Sequence, residues 1–168
     1  MESSAAEDTE FPRPPRSFTD RAGHEIRLIA YDGEPDPLVS MYLEFGDDSR
    51  AQGLPPRGET QIHKWITGLL DDGLNVVAQH GEKMVGHAVL VPYDETSELA
   101  IFVHPDYQTI GIGSRLIRAL LGHGQANDLE HVWLAVERTN LVAMNLYKSV
   151  GFETTIRDRA EHEMVLEL

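Results

Sequence analysis

The chain has 168 residues, 28 acidic against 14 basic, a net charge of −14 and no cysteine. That length favours one domain with a core large enough to stand without staples. The acidic excess argues against nucleic acid, whose binding depends on a basic face, and the missing thiols exclude disulfides, thiolate metal sites and cysteine nucleophiles together.

No apolar run approaches the roughly 18 residues of a membrane span, and residues 1–10 lack the basic and apolar regions of a secretory leader. A cytoplasmic protein with no membrane partner is expected. The eight histidines never fall at metal-ligand spacing with a carboxylate, so no metal is expected. Abundant Asp and Glu beside only three lysines, Lys64, Lys83 and Lys148, is the surface of a protein suited to concentrated salt. At ~1 M salt the screening length is only ~3 Å, which would quench the self-repulsion. An ordinary acidic surface is the competing reading; the halophilic one is preferred.

Residues 1–22 carry acidic residues and Pro12, Pro14 and Pro15 but few large apolar groups. They are expected to form a flexible tail, leaving 23–168 as the folded domain. From Glu25 the chain alternates, with Ile26, Leu28 and Ala30 on one face, as in a strand. Asp36 and Pro37 offer a cap and a first-turn proline to a helix bearing Leu38, Met41, Tyr42 and Phe45. A second helix starts near Glu59, carries Ile62, Trp65, Ile66, Leu69 and Leu70, and stops at Gly73. Residues 74–79 and 84–91 read as a hairpin, and residues 98–103 as a strand closed by His104-Pro105-Asp106. A helix follows from about Gly111; Gly122 and Gly124 blur its end. Then come a strand at 132–136, a helix at 141–150, and strands at 152–156 and 164–168. The order β-α-α-β-β-β-α-β-α-β-β makes the fold mixed α/β.

The chemistry is concentrated where the strand ending at Val103 turns into a glycine-bearing helix start, through Gln108, Thr109, Ile110, Gly111, Ile112, Gly113 and Ser114. A helix N-terminus presents unpaired N–H groups and a positive dipole end to phosphate. Glycines remove the Cβ atoms that would hold a diphosphate away. Alone, this G-x-G is also what a tight turn would use.

Gln108-x-x-Gly111-x-Gly113, preceded by Val103-x-Pro105-x-Tyr107, resembles the acetyl-CoA signature of the GNAT superfamily of N-acetyltransferases. Asn140-x-x-Ala143-x-x-x-Tyr147, ending in Gly151-Phe152, is similar to that family's second signature. The resemblance covers about residues 24–168, is closest in pattern to Pat-type protein lysine acetyltransferases, and implies a mostly antiparallel mixed sheet flanked by helices. A dinucleotide fold is poorly supported, since the third glycine and the downstream acidic residue are absent.

The resemblance implies acetyl-CoA as co-substrate. Main-chain groups of Ile101, Phe102 and Val103 would meet the pantetheine arm, and residues 108–114 would wrap the diphosphate. Asn140 would contact the cofactor, and Tyr147 would lie near the sulfur. Many relatives place a cation where Thr109 and Ile110 stand, so phosphate binding here would lean on backbone N–H groups.

A lysine ammonium costs about 4.6 kcal/mol to deprotonate at pH 7, so a base is useful. Glu98 shares a strand face with Ala100 and Phe102, opposite Leu99, Ile101 and Val103. Its place five residues before Val103 resembles that of the Pat-type catalytic glutamate; a solvated glutamate at a strand start competes evenly. Ribosomal-protein N-terminal acetyltransferases carry a glutamate where Ala135 stands, and Glu137 is a weaker substitute. The expected acceptor is a protein lysine. A small-molecule or N-terminal amine, or a silent acyl-CoA sensor, are the alternatives. The oligomeric state stays open, a homodimer included.

Overall fold

The computed structural model describes residues 10–50, 53–158 and 160–168. Eight strands form one sheet: β1 Arg16–Thr19, β2 Glu25–Ala30, β3 Leu74–His80, β4 Lys83–Tyr93, β5 Thr96–Val103, β6 His131–Glu137, β7 Glu153–Arg157 and β8 Glu161–Glu167. Among the described residues four α-helices flank it: α1 Asp36–Leu43, α2 Glu59–Asp72, α3 Ile112–Ala126 and α4 Leu141–Val150. The spatial order is β1-β2-β3-β4-β5-β6-β8-β7. Every neighbouring pair is antiparallel except β5 with β6. The expected mixed, mostly antiparallel sheet between helices is the fold found.

Strand alternation sorts the core into two layers. Leu28, Val76, Leu90, Leu99, Val132, Leu134, Val136 and Met164 meet Leu116, Ile117 and Leu120 of α3 and Met144 and Tyr147 of α4. On the opposite face Val77 and Met84 meet Leu38, Met41 and Tyr42 of α1 and Ile62 and Ile66 of α2. Gly124 is needed where α3 lies against β4, since a Cβ there would stand 2.8 Å from Leu90 Cδ1. The helix therefore runs through both interior glycines to Ala126.

Two expectations need correction. The stretch read as a tail to residue 22 contains β1, paired with β2 from Arg16↔Leu28 to Thr19↔Glu25. Phe11 also packs on the larger core cluster, and its N–H donates to Gln125 Oε1 at 2.8 Å. The ordering cost is offset here by a ladder that local composition does not reveal. Residues 1–9 lie outside the described residues. At α1 the cap is Pro35 with no side-chain bond, and Asp36 sits inside the first turn, where its charge suits the dipole.

A buried polar chain ties the second layer together. Asn75 gives its amide hydrogens to the carbonyls of Leu69 and Gly73, leaving Oδ1 to accept from His87 Nε2 at 2.8 Å. His87 Nδ1 then accepts from the Tyr42 hydroxyl at 2.7 Å. Burial pushes the His87 pKa down to about 3, so the ring is neutral, as this chain of donors demands.

Candidate active site

The one parallel junction of the sheet is also where it opens. β5 and β6 pair only at Ser97↔Val132 and Glu98↔Trp133, although each strand continues for several residues. Beyond Glu98 the two part, leaving a wedge-shaped gap through the sheet.

Ladder geometry decides which atoms border that gap. The His104 N–H donates to the Val85 carbonyl at 2.9 Å. In an antiparallel ladder alternate residues bond the partner, so Phe102 is committed to β4 while Ile101 and Val103 turn their N–H and C=O groups toward the gap. The expectation that all three would offer main-chain groups is corrected to Ile101 and Val103. The Phe102 side chain instead lies on the α1–α2 face, with ring centroids 5.4 Å from Trp65 and 5.6 Å from Tyr42.

The mouth of α3 adjoins the end of β5. Gln108 folds back, its Nε2 donating to the Val103 carbonyl at 3.0 Å. Thr109 has φ 62°, and its hydroxyl donates to the Gln108 carbonyl at 2.6 Å. Gly111 caps α3 at φ 99°, a left-handed conformation that favours glycine. The N–H groups of Ile112, Gly113 and Ser114 lie in the first helical turn, where no intrahelical acceptor exists. The Ile112 side chain is buried in the core, so only its main chain faces the mouth. Gly113 is less demanding than its neighbour, since an added Cβ would meet Leu146 at 3.6 Å and Val103 at 3.9 Å, ordinary contacts. The Ser114 hydroxyl accepts from Arg118.

Asn140 caps α4, its side chain accepting from the Ala143 N–H at 3.1 Å. That satisfies the helix and leaves only its amide N–H₂ for another partner. Tyr147 is buried within the α3–α4 core layer, its ring centroid 5.9 Å from Phe152. Burial pushes its pKa up to about 12, so the phenol keeps its proton at neutral pH.

Glu98 stands at the last pair before the gap opens, on the sheet face opposite Leu99. It is in part exposed, and partial desolvation raises its pKa above the usual carboxylate value. α1 and α2 cover β3 and β4. Farther along the same face, Trp133 and Ala135 remain only half-buried, so the surface beside Glu98 is open to an incoming molecule. Glu98 and Tyr147 therefore lie on opposite faces of the sheet. Glu137 lies exposed at the end of β6. Arg57 pairs with Asp47 at 2.9 Å in solvent, and Arg50 reaches the Gly53 carbonyl at 3.4 Å.

One neighbour of the α3 mouth is not legible in the sequence. The turn between β1 and β2 docks on the loop, with the Arg21 N–H donating to the Ile110 carbonyl at 3.0 Å. The only local hint is the Asp20-x-x-Gly23 turn pattern, and what that turn touches depends on strand pairing.

A sheet splayed at a parallel junction, with a glycine-opened helix at its mouth, is the fold of acyl-CoA N-acyltransferases. This chain belongs to the Acetyltransferase (GNAT) family, whose model matches residues 38–152.

Among curated proteins it is similar to the [ribosomal protein bS18]-alanine N-acetyltransferase of Escherichia coli (strain K12), 37% identical over 86 residues. That match covers 50% of this chain and 58% of the relative, so the chain spans little more than half of the relative's length. Among solved structures, the GNAT domain of S. lividans PAT superposes with TM-score 0.79 at 15% identity, covering 92% of this chain and 97% of that one. A paia N-acetyltransferase from Thermoplasma acidophilum in complex with coenzyme A superposes with TM-score 0.63 at 18% identity, covering 84% of this chain and 99% of that one.

Proposed function

We propose that this protein is an acetyl-CoA-dependent N-acetyltransferase that acylates an amine of a protein substrate. The observation that carries the reading is the gap between β5 and β6, with phosphate-binding geometry at one end and Glu98 at its edge. The diphosphate would rest on the N–H groups at the mouth of α3. The pantetheine arm would extend the sheet by bonding to Ile101 and Val103. The acetyl group would then lie between Tyr147 and the open face beside Glu98.

The reaction is direct attack. The amine nitrogen bonds to the thioester carbonyl carbon, and Glu98 takes the proton that this nitrogen sheds. A gap-facing main-chain N–H of β5, with Ile101 the one nearer Glu98, donates to the carbonyl oxygen as charge builds there. The carbon–sulfur bond breaks and the thiolate leaves, with the Tyr147 phenol as the proposed hydrogen-bond donor to the sulfur and the proton taken up by Glu98 returning to the thiolate through solvent. The products are the N-acetyl amine and the free thiol.

For the acceptor we propose a protein lysine Nε-amine. Glu98 supports this, since a strongly basic amine gains most from a base, and Ala135 lacks the carboxylate of ribosomal-protein N-terminal acetyltransferases. The N-terminal α-amine is the second reading, favoured by the 37% identity over 86 residues to the ribosomal-protein-alanine N-acetyltransferase of E. coli. The acidic surface supports operation in concentrated salt in the cytoplasm.

The test is release of CoA thiol with three peptides. The first has a blocked N-terminus and one lysine, the second a free N-terminal alanine and no lysine, and the third has neither. Turnover of the first alone supports the lysine reading, and turnover of the second alone replaces it. Thiol release with neither peptide and no binding of acetyl-CoA would overturn the enzyme assignment.

A further inference from the structure

We propose that Arg21, on the turn between β1 and β2, supplies the cation that grips the phosphates of the acyl-CoA substrate. The inference rests on the acyl-CoA reading above and adds a residue that lies outside both signatures.

The first observation is a deficit. The loop from Gln108 to Ser114 contains no cation, and the whole chain carries −14, so an anionic nucleotide meets a repulsive field on approach. The second is a docked turn. The Arg21 main chain is bonded to Ile110 within that loop, and an ideal Cβ on Gly111 would lie 3.8 Å from Arg21 Nε. The guanidinium therefore lies against the glycine that caps α3.

The third observation is that this turn is tied by its own hydrogen bonds. Asp20 has a fully buried side chain whose Oδ1 accepts from the N–H groups of Ala22 and His24, each at 2.9 Å. Its Oδ2 lies 2.8 Å from His24 Nδ1. Burial works to raise the Asp20 pKa, and these bonds from His24 and Ala22 bring it below the ordinary value on balance. The His24 ring in turn packs on Tyr107 and His80, with centroids 5.0 Å and 4.5 Å away. Asp20 is thus turned inward and spent within its own turn.

The fourth observation is availability. Arg21 is exposed, and among the described residues its guanidinium has neither a carboxylate nor a carbonyl partner. Its planar array of donors suits phosphate oxygens. A cation absent from the loop's sequence is thus provided in space by a turn about ninety residues earlier.

The test is calorimetry with CoA, dephospho-CoA and pantetheine, on the whole chain, for wild type, Arg21→Ala and Arg21→Lys. Substitution keeps the main-chain bond to Ile110, so the turn should stay docked. The expected result is CoA affinity about tenfold weaker in Arg21→Ala and partly recovered in Arg21→Lys. The gap should narrow as salt rises toward about 1 M. KM for acetyl-pantetheine, which lacks the nucleotide and its phosphates, should not change.

Should dephospho-CoA show the same loss as CoA, the contact is to the diphosphate; should dephospho-CoA show none, it is to the 3′-phosphate. Either result supports the proposal. CoA affinity within twofold of wild type in Arg21→Ala overturns it, and so does an equal loss for acetyl-pantetheine, which would mark structural damage. If wild type itself binds no CoA, the enzyme reading fails first and takes this inference with it.

Discussion

Replacing Glu98 with glutamine removes a carboxylate while keeping its size, and the consequence depends on the acceptor. A lysine amine carries a deprotonation cost of about 4.6 kcal/mol at pH 7, and an N-terminal amine only about 1 kcal/mol. Glu98 sits where β5 leaves β6, and partial desolvation raises its pKa. It is therefore a stronger base than a free glutamate. With a lysine acceptor, Glu98→Gln should lower kcat about 100-fold at pH 7. With an N-terminal amine the loss should be about tenfold or less.

The deficit should shrink as pH climbs, because each pH unit frees the amine by about 1.4 kcal/mol without help from the enzyme. The assay is kcat/KM by thiol release from about pH 6 to about pH 9, with CoA affinity and Tm measured in parallel. A raised carboxylate pKa means that its contribution to stability is present at low pH and lost as pH rises through the folded value. The variant should therefore melt no lower than wild type at pH 7, which separates lost catalysis from lost folding. A variant within twofold of wild type across this range would falsify the assignment of Glu98 as base.

On the proposed role of the phenol as donor to the leaving sulfur, Tyr147→Phe should lower kcat about tenfold with little change in CoA affinity. With its pKa near 12, Tyr147 should impose no alkaline limb on the rate below about pH 10. His87 titrates near 3 when folded against an ordinary 6.5 for an exposed ring, so the unfolded chain binds the extra proton between those values. Stability should then fall as pH drops from about 6.5 toward 3, by up to about 1.4 kcal/mol per unit, and His87→Gln should flatten that slope in urea melts. Gly122→Ala gains about 1 kcal/mol of helix propensity. Its Cβ, however, would strike the Pro12 carbonyl and lift Phe11 from the core, losing about 2–3 kcal/mol of burial and hydrogen bonding. The net change should be destabilising by about 1–2 kcal/mol, and should become stabilising in a chain shortened to begin at Pro15. Finally, Tm should rise steadily with potassium chloride toward about 1 M as the repulsion within the −14 chain is screened; a flat response would remove the support for high-salt operation.

Local pattern carries much of this molecule. The period-2 run from Glu25, the helix beginning at Glu59 and the helix over Leu141–Val150 are all where residue periodicity puts them, because each buries one face and exposes the other. The glycine at 111 signals a backbone that a side chain would strain, and the chain there has φ 99°. β1 is illegible for a physical reason: four residues with little alternation become a strand only because β2 offers a free edge to pair with.

The amino-acid order alone determined the family, the strand-to-helix turn at residues 103–114, and the face on which Glu98 lies, since all three are short-range properties of the chain. Only tertiary structure decided that β5 and β6 part after Glu98, that Phe102 is spent on β4 while Ile101 and Val103 are not, and that Arg21 lies beside Gly111. Those facts depend on which strands become neighbours. Neighbours are chosen by burial across the whole sheet, a sum over distant residues that no window of sequence contains.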